Sequence, residues 1–127
     1  KRSLEISLKV ETIINNLIQS ESKNLYLLEI YNQVNELTKF SSNAILKLEK
    51  VDFDGDLKHI KNLESEFNIT KEKFEKIYSK TRILNKPDDY ILDQDHHHHP
   101  ANQTKNFDWQ FLSEIMLINK IKETYKI

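Results

Sequence analysis

The stretch IYNQVNELTKFSSNAILKLEKV, residues 30–51, decides the fold. Ile30, Val34, Leu37, Ser41, Ala44, Leu48 and Val51 recur at alternating steps of four and three, the spacing that lines up one face of an α-helix as a coiled-coil seam. A second row follows. Ile60, Leu63, Phe67, Thr70, Phe74, Ile77, Thr81 and Leu84 repeat the pattern over a similar length. Between the rows lies Asp52-Phe53-Asp54-Gly55-Asp56, where Gly55 suits the left-handed conformation after a helix end and Asp56 suits the cap of the next helix. Matched seams around a short turn predict an antiparallel α-hairpin, with partners over about residues 25–51 and 57–85. Positions symmetric about Asp54 should then meet: Val51 near Leu57, Leu48 near Ile60, Ala44 near Leu63, Ile30 near Ile77. Ser41, Ser42 and Ala44 narrow the helix opposite Phe67, which predicts either interdigitation with that ring or a groove for a partner side chain.

Upstream, Ile6, Val10, Ile13 and Leu17 form another helical face, with Ser3 as the expected N-cap. The polar run Ser20-Glu21-Ser22-Lys23-Asn24 permits a bend. The three-four phase nevertheless passes from Leu17 to Leu27 and Tyr31 without a stutter, which favours one continuous helix over two. Downstream, Pro87 is expected to end the hairpin, because the residue before a proline is pushed out of helical geometry. Residues 87–106 read as a mobile acidic and His-rich linker, so the chain divides into a hairpin and coiled-coil region (1–86), this linker and a C-terminal docking helix (107–127). The last helix is expected to start at Asp108, with Phe107 and Leu112 forming a hydrophobic staple. Its apolar residues cover well over half its circumference, more than one hairpin can bury. Trp109, Phe111, Leu112, Ile115, Met116 and Ile118 are therefore the candidate partner-binding residues. The alternative is that the helix folds back over Ile6, Val10, Ile13 and Leu17 as core.

Composition agrees with an all-α, elongated helical bundle. The 127 residues contain one Gly and two Pro, too few punctuators for the many turns of a sandwich, barrel or doubly wound sheet. The 19 basic and 20 acidic residues are interleaved, without the concentrated positive face that nucleic-acid binding needs. There is no cysteine, which removes disulfides, thiolate metal sites and cysteine catalysis. No apolar run reaches a membrane span, and a start at Lys1 suggests a piece of a longer or processed protein.

Chemical motifs are weak. His96-His97-His98-His99, beside Asp93 and Asp95, offers metal-binding groups, but consecutive histidines in a linker have no frame to fix a geometry. Asp52, Asp54 and Asp56 open like a calcium loop, yet the sixth position is Leu57 and the twelfth is Leu63, where glycine and glutamate are needed. His59 reads as an ordinary helical histidine. No phosphate loop, nucleophile elbow or metalloprotease pair is present, so no catalytic residue, metal ligand or cofactor is assigned. The expected function is a non-enzymatic subunit of an intracellular helical assembly of the tether, kinetochore or scaffold kind. Its expected partners are other helical subunits, more as a hetero- than a homo-oligomer. A secreted or surface helical ligand-binding module is the second reading, and a metal-responsive protein acting through the histidine run is the third.

Overall fold

A computed structural model describes residues 1–20, 24–81, 83–85 and 107–127. The fold is all-α, with no strand among the described residues. Helix α1 spans Arg2–Ser20, α2 Leu25–Asp54, α3 Leu63–Tyr78 and α4 Leu112–Tyr125. Short 3₁₀ turns, Leu57–His59 and Phe107–Phe111, lead into α3 and α4. The linker expected over 87–106, with His96–His99, lies outside the described residues.

The antiparallel pairing of α2 and α3 is present, in the register read from the seams, except that Val34, read as a seam position, is 47% exposed and outside the core. Phe40 and Phe67, nearly equidistant from Asp54 along the chain, meet with ring centroids 5.6 Å apart. Farther from the turn, Lys80 pairs with Glu29 at 3.1 Å, and Tyr26 Oη lies 2.7 Å from Thr81 Oγ1. Leu37, Ala44, Val51, Ile60, Leu63, Phe67 and Phe74 are buried together. The turn works as its residues suggest. Gly55 sits at φ 71° and donates its N–H to Val51 O at 2.7 Å, a left-handed C-cap. Asp56 accepts the N–H of Lys58 at 2.9 Å, and Asp54 accepts that of Asp56 and pairs with His59 Nε2 at 2.8 Å. The Asp54 carboxyl is held below the usual carboxylate range, first by His59 and then by the Asp56 N–H. Asp54 and Asp56 are thus turn and cap residues.

Four other expectations are corrected. The chain from 1 to 51 is two helices. Ser42 Oγ meets Ser3 Oγ at 2.9 Å and Asn35 Nδ2 donates to Ser7 O at 2.9 Å, so α1 runs back along α2, and Ser3 joins this seam rather than capping a helix. The Ser20 hydroxyl, in the last turn of α1, bonds back onto the carbonyls of Asn16 and Leu17. Next, α3 begins at Leu63 and stops at Tyr78, short of Asn85. Tightened bonds from Lys80 N to Ile77 O and from Thr81 N to Tyr78 O close its last turn, and the Ser79 hydroxyl bonds Lys76 O. Third, α4 starts at Leu112 with Phe111 at its N-cap, and Asp108 lies within the preceding 3₁₀ turn, paired with Lys71 at 2.6 Å. Finally, the staple is absent, because Phe107 turns into the core while Leu112 is 57% exposed.

Helix α4 packs against α3, antiparallel to it, as Lys122–Glu64 and Asp108–Lys71 at opposite ends of the contact show. Phe107 and Phe111 enter an aromatic cluster with Phe67, Phe74 and Tyr78, where Phe111 stands edge-on to Phe74 at 5.5 Å and to Phe67 at 6.0 Å. Beside it Glu75 is the strained member of a charge group. Its carboxyl is raised above its ordinary value, mainly by burial and further by Asp108, while Lys71, 3.9 Å away, pulls it down. A raised carboxyl opposes folding once ionised, and the opposition is relieved as pH falls through the raised value. Glu75→Gln is therefore expected to stabilise the protein slightly at pH 7, the gain vanishing in acid below the ordinary glutamate range. Urea denaturation of both forms across that range checks it.

Candidate interaction surface

The candidate residues of the last helix separate into two sets. Phe111, 0% exposed, and Ile118, 5% exposed, are core. Trp109 and Ile115 are half-buried, Trp109 lying 6.4 Å from Phe107 and Ile115 packing against the core. Leu112 and Met116 remain exposed. Phe107 and Phe111, the first and last residues of the 3₁₀ turn, both enter the α3 aromatic cluster against Phe74. The helix is core on one side, then, but it docks on α3 and not over α1.

That leaves the strongest apolar row of α1 uncovered. The α1 residues turned to α2 are Ser7 and Ile14, with Leu4, Val10, Glu11 and Ile18 half-buried. Ile6, Ile13 and Leu17, each one position before an inward residue, are 44–59% exposed. On α2 the residues facing α1 include Asn35 and Ser42, which bond to it, and Lys39, which reaches Glu11 at 2.6 Å. Leu27, Tyr31, Val34 and Ile45 again precede this row by one, and they too are about half exposed. In two antiparallel right-handed helices, the positions one residue before the contact row fall on the same side of the pair. The two stripes therefore lie side by side along one face of the α1–α2 hairpin.

No known family, curated protein or solved structure matches the chain. The surface has to be judged on its own physics.

Seven half-exposed Ile, Leu, Val and Tyr side chains present on the order of 700 Å² of largely apolar area, above the ~300–600 Å² of the largest patch on a typical monomer. The seam beneath it is polar. Asn35 is satisfied by Ser7 O, and Lys39 is held by Glu11, whose hydrogen bond raises the ammonium above its ordinary range. Asn32 Oδ1 is buried with no hydrogen-bond partner among the described residues. Such a seam fixes register more than it adds stability, because each bond only replaces one made to water. The sequence groups Ile6, Val10, Ile13 and Leu17 on one face of α1, but it places Val34 in the α2–α3 seam and does not single out Ile45. The signal for the observed orientation was the parallel row of Ser3, Ser7, Ile14 and Ile18, whose two serines are small enough for close approach of α2 and bond to its Ser42 and Asn35 side chains.

Elsewhere, Phe53 is 92% exposed at the tip of the hairpin, beside an open groove lined by Lys1, Leu4, Asn43, Leu46 and Lys50. No group of His, Asp or Glu among the described residues is arranged to hold a metal ion. No helix among them is long and apolar enough to cross a membrane.

Proposed function

We propose that this chain is a non-enzymatic structural subunit of an intracellular helical assembly, of the scaffold, tether or kinetochore kind, that binds partner helices through apolar seams. The observation that carries this reading is the double stripe of Ile6, Ile13 and Leu17 beside Leu27, Tyr31 and Val34, left in water by a fold that buries Leu37, Ala44, Val51, Ile60, Leu63, Phe67 and Phe74 in its core. Leaving such a face bare costs about 25 cal/mol for each Å² that a partner would cover, a stabilisation available only on assembly. Leu112 and Met116, with the half-buried Trp109 and Ile115, give α4 a second and smaller contact.

The test is affinity purification of the full-length protein from its own cells. A helical subunit is expected to co-purify in fixed stoichiometry and to be lost from an Ile13→Asp, Val34→Asp double variant whose far-ultraviolet circular dichroism is unchanged. If the protein purifies without a stoichiometric partner, or the variant retains it, the reading is wrong.

A further inference from the structure

We infer that the α1–α2 face is the seat of a single amphipathic helix from another protein, lying lengthwise in the groove and carrying acidic residues along the edge that meets α1. The inference rests on the subunit reading above and names its partner's chemistry. Three observations bear on it. The face is two stripes at helical spacing, Ile6-Ile13-Leu17 and Leu27-Tyr31-Val34-Ile45, with a groove between them that can accept knobs from a helix. The chain already uses this geometry once, since α4 lies lengthwise against α3 beside α2, burying Phe111, Ile118 and Ile121. The exposed area, on the order of 700 Å², also approaches the ~800 Å² per partner of a standard stable interface.

Charge selects the partner. The next row outward from Ile6 and Ile13 on α1 holds Arg2 and Lys9, both exposed. No ion pair among the described residues uses either of them. This basic edge is complementary to Glu or Asp flanking the seam of the incoming helix. A second copy of this chain would set the edge against itself wherever α1 met α1.

The experiment uses the full chain and two synthetic helical peptides about five turns long, the span of the α2 stripe. Each has Leu and Ile in the seam; one has Glu and the other Lys at the flanking positions. Fluorescence anisotropy reports binding, and sedimentation equilibrium reports the mass of the chain alone. The expected result is a monomer that binds the Glu-edged peptide about threefold to tenfold tighter than the Lys-edged one, the range two exposed ion pairs supply, with the preference shrinking in salt. Binding should weaken at least tenfold in Ile13→Asp, Val34→Asp. In Arg2→Glu, Lys9→Glu, which changes only exposed positions, the preference should reverse. Binding of neither peptide, equal binding of both, or insensitivity to the stripe variant overturns the inference. Self-association of the chain that Ile13→Asp abolishes overturns it in favour of a second copy. Co-purification from cells separates these failures from failure of the subunit reading, since a stoichiometric partner lost with the stripe would still support that reading.

Discussion

Replacing Phe111 with alanine is expected to cost ~3–5 kcal/mol, the range for removing a fully buried aromatic ring, while Leu112→Ala next to it should stay within about 0.5 kcal/mol. Phe111 is 0% exposed and edge-on to Phe67, Phe74 and Phe107, and its ring also lies 5.6 Å under the Lys71 ammonium. Truncation leaves a cavity between α3 and the turn before α4 and removes the contact that seats that helix. Leu112 is 57% exposed, so shortening it removes little buried surface. With urea slopes of ~1–3 kcal/mol/M for small proteins, the first change should lower the midpoint by ~1 M or more and the second should hardly move it. Similar midpoints for the two variants would show that the last helix is not core. A Phe74→Ala, Phe111→Ala cycle should be non-additive, because the rings are in contact.

Ala44→Leu is expected to cost about 2–3 kcal/mol by overpacking, the largest effect we expect from adding rather than removing atoms. Ala44 is 0% exposed in the core that it shares with Phe40, Leu63 and Phe67, one helical turn from the Phe40–Phe67 ring contact. The added branch has to force the two helices apart or push a ring off its rotamer. Thermal unfolding should show a loss of roughly 6–18 °C, taking about 3–6 °C for each kcal/mol at this chain length. Ile45→Leu, one residue on and 53% exposed, serves as the control and should leave the transition in place. An Ala44→Leu protein as stable as the parent would mean that the α2–α3 seam has room to spare. The alternative considered for these small residues, a groove open to a partner side chain, would then regain support.

The α2–α3 hairpin was legible in the chain because everything that specifies it is local. Two seams in three-four phase, a Gly at the turn position of positive φ and two aspartates placed to bond the turn are properties of neighbouring residues. Their symmetry about Asp54 sets the register before any long-range contact is considered. The turn between α1 and α2 was not legible, since a polar run without Gly or Pro reads alike as an exposed helical turn or a bend. The choice was made by Ser3, Ser7, Asn35 and Ser42, small and polar groups that let two helices approach and bond across. Nor did periodicity say which apolar face would be buried. It places Ile6, Ile13 and Leu17 on one stripe of α1, and Phe111 and Leu112 both on an apolar α4. Tertiary packing alone put the α1 stripe in water, drew Phe111 into the aromatic cluster and turned Leu112 out. The physical reason is that hydrophobic patterning fixes which residues share a face, whereas burial depends on which faces find a partner of matching shape within the same chain.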